Sequence, residues 1–351
     1  GNEDVTWETT ETINLGIDAN MLDNHLAVSV DVWQRNTSDM LFQEPIPQVM
    51  GVASAPFVNI GEMKNTGIDF ELGYNNSALD GKLTYNASLT LSHYKNEIVQ
   101  LSGDPDRTID AASERQMTYT RYANGTAFPE FFGYVVEGIF QTQAEADAHA
   151  PYGTSDYNAP GHFKYQDVDG SGVIDADDRT FIGSPHPDLT GGLNIDLGYG
   201  AFDLNMFFYG SLGNEMVNYV TRWIDYGMFN GGLSKDALYE SWGSPYLANN
   251  ADATLPMLDQ SDISQQPSTA FVEDASFLRM KNLRLGYTLP QSILDKAQIK
   301  RLSVYAQVSN VFTITKYSGL DPEVRSSGSN MGLDMGAWPT PRQIMFGVTL
   351  G

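Results

Sequence analysis

Hydrophobic residues recur at every second position over most of this chain, which commits it to β-strands with one oily and one wet face. Ile13, Leu15, Ile17, Ala19 and Met21 alternate with Thr12, Asn14, Gly16, Asp18 and Asn20. Leu26, Val28, Val30 and Val32 alternate with Ala27, Ser29, Asp31 and Trp33, and Ile68, Phe70, Leu72 and Tyr74 with Asp69, Glu71, Gly73 and Asn75. The cleanest stretch sets Leu83, Tyr85, Ala87, Leu89 and Leu91 against Thr84, Asn86, Ser88, Thr90 and Ser92. Further on, Leu193, Ile195, Leu197 and Tyr199 form one such row, and Phe202, Leu204, Met206 and Phe208 the next. Leu302, Val304, Ala306 and Val308 form another, and Ile344, Phe346, Val348 and Leu350 the last. Over residues 275–289 the phase slips between Met280 and Leu283, as a β-bulge would cause.

Both a soluble sandwich and a membrane barrel alternate in this way. Two features favour the membrane. The segments exceed the ~5–6 residues usual in soluble sheets and reach the ~9–11 of a tilted membrane span. Tyr and Phe also gather near their ends, where an interfacial girdle belongs. The oily rows carry no charge, in a chain that is 41% hydrophobic and 18% charged. The fold class expected is all-β, a transmembrane antiparallel β-barrel.

The connections alternate too. Residues 22–25, 76–81 and 199–201 are tight, 290–300 is somewhat longer, and long segments lie at about 43–60, 95–189, 210–274 and 317–340. Short periplasmic turns and long extracellular loops produce that rhythm. It counts out nine strands, the first descending and the last ending at the periplasmic side. Bacterial barrels close on an even number, because an unpaired edge in lipid leaves backbone groups unsatisfied. Residues 1–351 are therefore expected to be the C-terminal part of a single β-barrel domain.

A formal charge of −24 excludes nucleic acid as a partner, since phosphate binding needs a cationic face. With no cysteine, disulfide and thiolate-metal chemistry are excluded as well. Enzymatic readings have little to rest on. His25, His93, His149, His162 and His186 form no metal-ligand pairing, and neither a nucleophile elbow nor a phosphate loop occurs. No catalytic residue is assigned.

Between Asp167 and Asp178 the spacing is that of an EF-hand loop. Asp167, Asp169 and Ser171 fall at its first, third and fifth positions, and Gly172 takes the sharp turn. Val173 would offer its carbonyl, Asp175 a direct or water-borne contact, and Asp178 closes the loop. Hard oxygen donors suit Ca2+, with Mg2+ as the alternative because Asp178 is shorter than the usual glutamate. The role expected is structural: an ion that holds a long extracellular loop with little core of its own. The 210–274 segment carries Tyr219, Trp223, Tyr226, Phe229, Tyr239, Trp242 and Tyr246, which fit lid contact, ligand contact or plain packing. A short helix is expected at 236–242 with Ser234 as its N-cap.

Several runs carry a resemblance. The stretch from Glu273 to Pro290 (EDASFLRMKNLRLGYTLP) and the one from Asn310 to Glu323 (NVFTITKYSGLDPE) resemble segments of SusC/RagA-like TonB-dependent transporters. So do the runs Asn65–Glu71, Phe132–Tyr134 with Glu137–Phe140, and Arg179–Pro185, in the same order along the chain. The resemblance implies a Bacteroidetes-type outer-membrane transporter with a plugged barrel of about 22 strands. It implies a SusD-like surface lipoprotein as lid, and energy from the TonB complex through an N-terminal region outside this chain, as is the plug. The cargo implied is large nutrients, oligosaccharides first and peptides as the alternative. A passive porin is the reading from another class. The family ends on an aromatic residue, whereas this chain stops at Leu350-Gly351, so one further residue is expected.

Overall fold

The computed structural model describes residues 5–43, 56–102, 104–114, 117–154, 157–227, 232–259, 263–295, 299–324 and 326–351. Among them nine long strands form one antiparallel sheet: β1 (Thr9–Met21), β2 (Leu26–Gln43), β3 (Phe57–Ala78), β4 (Leu83–Leu101), β5 (Leu189–Tyr199), β6 (Phe202–Leu212), β7 (Phe277–Thr288), β8 (Leu302–Thr315) and β9 (Gln343–Leu350). Each pairs with the next in sequence, so the sheet is an uninterrupted meander with β1 and β9 at its edges. An open edge has no satisfactory state in lipid, and these strands therefore make part of a closed wall. Among the described residues no helix is long and apolar enough to cross a membrane.

Registers carry the alternation from strand to strand. Val30 lies opposite Ile17 and Phe70, Ile195 opposite Ala87 and Met206, and Leu285 opposite Leu204 and Ala306. One oily row thus runs across all nine strands. It is not buried against another layer: Leu15 is 74% exposed and Phe346 81%. Burying such side chains is worth about 1.5–3 kcal/mol each, so a row left this open faces lipid. Tyr74 with Tyr85, and Phe202 with Tyr287, pair at centroid distances of 5.9 and 4.8 Å near the tight-turn end. That is the level of an aromatic girdle.

Tight turns set the register at that end. In the β3–β4 turn Asp80 and Gly81 take φ of 53° and 80°, and Lys82 donates its N–H to the Leu79 carbonyl. Left-handed backbone suits glycine, and its twist matches the strands that flank it. The phase slip expected in β7 is present: pairing passes from Phe207 with Asn282 to Phe208 with Met280, leaving Lys281 as the extra residue.

Strands run further than their alternation predicts. β3 has 22 residues, about twice a tilted span, so its upper half stands clear of the lipid. The structure also corrects the expectation that the long connections lack a core. Tyr119, Phe131, Tyr134, Tyr165 and Ile174 from the β4–β5 connection pack with Val217, Tyr219, Tyr226 and Phe271 from β6–β7, and with Leu333 from β8–β9. Strand Glu215–Asn218 pairs with Val272–Asp274 on one side and Leu333–Asp334 on the other, tying two connections by backbone hydrogen bonds. The three long connections thus fold together as a cap. Their apolar residues have no strand-like period, so they read as loop until they are seen to share one interior. The middle of the 43–60 segment lies outside the described residues.

Candidate functional site

The inner face of the wall is wet and internally bonded. Asp69 accepts from Trp33 Nε1 at 2.8 Å and Ser92 Oγ at 2.5 Å. Asp196 accepts from Asn194 and Asn205 amides at 2.7 Å each, and Asn282 passes the chain on to Asn205 at 2.8 Å. Asp203 pairs with Arg284, whose guanidinium lies 4.8 Å from the Tyr305 ring centre. Amide, indole and hydroxyl donors and one guanidinium, most of them on neighbouring strands, thus satisfy these carboxylates. Two recesses open on this face. One of about 550 Å³ lies beside Asn86, Asp196, Asp203 and Arg284, and one of about 500 Å³ beside Asp31, Asp69 and Glu71. Among the described residues no titratable pair on this face is arranged as nucleophile and base; the surface suits passage or holding of polar solutes.

Where the wall meets the cap, four charges lock together that the sequence reading did not single out. Arg279, 4% exposed, donates to Asp321 at 2.5 Å, Glu323 at 2.7 Å and Thr313 Oγ1 at 2.7 Å. Lys281, the extra residue of the bulge, also grips Glu323. Burial disfavours ionised Asp321, but hydrogen bonds from Arg279 and from the Thr340 and Glu323 N–H groups outweigh it and hold the pKa at about 2. A folded pKa below the ordinary value near 3.8 stabilises only where the unfolded group is ionised. The contribution should be complete above about pH 4 and disappear as pH falls through about 2. Amide exchange in residues 316–342, followed across that window, should accelerate on acidification before the wall itself changes.

The Asp167–Asp178 loop takes up the backbone its spacing predicts. Asp167 accepts from the N–H groups of Gly170, Ser171 and Gly172 at 2.8, 3.1 and 2.9 Å, and Gly172 has φ +84°. Carboxylate oxygens of Asp167, Asp169 and Asp178 come within 4.8 Å of one another. One Ca2+ with bonds of about 2.3–2.6 Å can touch oxygens no more than about 5 Å apart, so the donor set is close enough for a single ion. Asp178 is wholly buried and accepts from Val168 and Asp175 N–H, both at 2.7 Å, closing the loop on itself. Hydrogen bonds from Ser171 lower the Asp169 pKa, keeping it ionised. Ser171 Oγ donates to the Val173 carbonyl at 3.0 Å, so these two oxygens sit together. Asp175 instead caps the one-turn helix Ala176–Asp178, accepting from the Asp177 N–H at 2.9 Å. Ile174 roots the loop in the cap core.

Packing accounts for much of the aromatic content of the β6–β7 connection. Tyr219 and Tyr226 are buried in the cap core and Trp223 lies against it. Trp242 donates Nε1 to Gln141 at 3.1 Å. Tyr239 and Tyr246 remain exposed as an edge-to-face pair 5.1 Å apart. Phe229 lies outside the described residues. The expected helix is shorter, Lys235–Tyr239, and Ser234 Oγ caps it by accepting from the Ala237 N–H at 2.9 Å.

Comparison with known proteins bears on this geometry. A family model described as "TonB dependent receptor-like, beta-barrel" matches residues 1–311. TonB-dependent receptor P3 of Formosa agariphila is 34% identical, over 99% of this chain and 34% of its own length. TonB-dependent receptor SusC of Bacteroides thetaiotaomicron is 28% identical, over 99% of this chain and 32% of its own. A solved structure titled as that of the RagAB peptide transporter superposes with a TM-score of 0.79 at 27% identity, covering all of this chain and 36% of that one. The chain spans about a third of the length of the curated relatives it matches.

Proposed function

Because the chain belongs to the TonB-dependent receptor-like β-barrel family, we propose that it forms wall and extracellular cap of an outer-membrane importer of large nutrients, oligosaccharides first. The observation that carries this reading is the uninterrupted oily row outside a polar, hydrogen-bonded inner face, with a folded cap above it. Such a wall separates lipid from an aqueous path, and asparagine amides and carboxylates lining that path suit hydroxyl-rich solutes. Energy would come from TonB through a plug in the full-length protein, and a SusD-like lipoprotein would close the cap from outside. The exposed Tyr239–Tyr246 pair offers such a lid an amphipathic contact.

Peptide import is the second reading, favoured by the likeness to the structure titled RagAB peptide transporter. Uptake of defined glycans and defined peptides by cells carrying the full-length protein, with and without TonB, separates the cases. Glycan uptake that needs TonB supports the first reading. Uptake of peptides alone moves the assignment to the second, and uptake indifferent to TonB would favour a passive pore.

We also propose that Asp167, Asp169 and Asp178 hold Ca2+, with the Ser171, Val173 and Asp175 oxygens completing its shell directly or through water. Clustered carboxylates repel, and an ion between them would stiffen this part of the cap. Chelation is expected to speed amide exchange over residues 167–178, with Ca2+ restoring it and Asp167→Asn abolishing the response. Exchange that ignores both chelator and Ca2+ would rule the ion out.

A further inference from the structure

On the inner face, Trp33 of β2 lies flat against the wall because a glycine lets it. Gly67 stands directly opposite on β3, and a Cβ there would collide with the indole atoms Cζ2 and Cε2. Only glycine leaves room for a ring to rest on the neighbouring backbone. Asp69 then fixes the ring in its plane, accepting from Nε1 at 2.8 Å. One face of the indole is held on the wall, and the half-buried side chain turns the other to the lumen. The outer row of β2 gives way to Gln34 and Asn36 just above Val32, so the ring sits at the extracellular mouth of the wall. Polar groups follow in line along the strands. Asp31, about 6.8 Å below Trp33 along β2, lies opposite Asp69. With Glu71 the two open on the recess of about 500 Å³, whose far side carries Thr90, Ser92 and Tyr209. Two residues above Trp33, the Arg35 guanidinium stands 6.0 Å from the ring centre. Arg35 and Glu71 are exposed, and among the described residues neither side chain has a hydrogen bond or ion pair.

The geometry points to a sugar-binding station on the inner wall: a pyranose ring of the cargo stacks on the lumenal face of Trp33, with Asp31, Asp69, Glu71 and Arg35 bonding its hydroxyls. A pyranose carries C–H bonds on its faces and hydroxyls around its edge, and the negative face of the indole attracts the first. Ionised carboxylates are acceptors only, with several lone pairs each, so a row of them suits a ligand whose every polar group brings an O–H. A neutral peptide brings as many carbonyls as N–H groups, and its carbonyls would face a surface dominated by carboxylates. Gly67 and Asp69 orient the indole before any sugar arrives, so stacking costs little ordering. The station deepens the reading of the wall as the path of an oligosaccharide importer, and rests on it. The bland alternative is packing alone, with the indole filling the space over Gly67.

The test measures binding to the purified full-length protein by calorimetry. The probes are maltohexaose, xylohexaose, mannohexaose and hexagalacturonate, with a lysine-rich hexapeptide beside them. Trp33→Leu keeps an apolar filler over Gly67 but removes the π-face, and should weaken the hexasaccharide that binds about tenfold. Trp33→Phe, which keeps a ring, should cost less than about threefold. Ala87→Leu, in the outer row of β4, should change nothing. Amide exchange in β2 and β3 checks that the wall stays folded. Should Trp33→Leu loosen it, Arg35→Ala and Glu71→Gln at exposed positions carry the test, each with an expected loss of about threefold. Equal losses for Trp33→Leu and Trp33→Phe, or none for any of the four variants, would overturn the station while leaving sugar import standing. A loss confined to the hexapeptide would overturn it in favour of a cationic cargo. If the unaltered protein bound none of the hexasaccharides, the oligosaccharide reading would fall and the station with it.

Discussion

Replacing Ile195 with arginine is expected to destabilise the folded wall by about 2–4 kcal/mol, the cost of a cation on the lipid face near the bilayer midplane. Ile195 lies at the middle of β5, opposite Ala87 on one side and Met206 on the other. An arginine there must take its guanidinium into hydrocarbon or distort the strand to reach water. Its neighbour Asn194 points to the other face, where the amide of Asn205 bonds to it at 2.9 Å. Asn194→Arg places the same charge in an aqueous, acid-rich surrounding and should cost far less than Ile195→Arg. Reversible unfolding of the full-length protein in vesicles would measure both. Equal penalties for the two would mean that the faces are not lipid and water, and the barrel assignment would fail.

The second large effect is expected at the clamp between wall and cap. Asp321→Ala leaves Arg279 buried with only Glu323 and the Thr313 hydroxyl as partners, and breaking a buried pair from one side costs about 3–5 kcal/mol. The loss should appear as faster exchange and proteolysis in residues 316–342, because Asp321 also receives the Thr340 N–H at 2.8 Å. Lys281→Ala should do much less, about 1 kcal/mol or below, since that ion pair is partly open to solvent. If Asp321→Ala left the connection as protected as before, the clamp would be a crystal-like coincidence of charges with no hold on the cap.

The site residues divide in the same way as the fold. Spacing alone marked Asp167, Asp169 and Asp178, because an Asp/Gly loop is a local object whose geometry follows from a dozen consecutive residues. Arg279, Asp321 and Glu323 escaped notice, since nothing local links residues forty positions apart. The one hint was lysine and arginine on a strand otherwise matched to oil and amide. Tyr219 and Tyr226 were as ready to be ligand contacts as core until their burial decided the matter.

Strand identity, the face each residue shows and the bulge in β7 were determined by sequence, because a period of two acts within a few residues. Registers followed from the same rows, since a slip of one position would turn every leucine toward water. What only the tertiary structure decided was the cap. Its aromatic residues become a core when three connections, separated in sequence by pairs of wall strands, meet, and such meetings depend on where the wall sets their ends. Charge pairing across that junction is likewise a property of proximity in space, which no local pattern encodes.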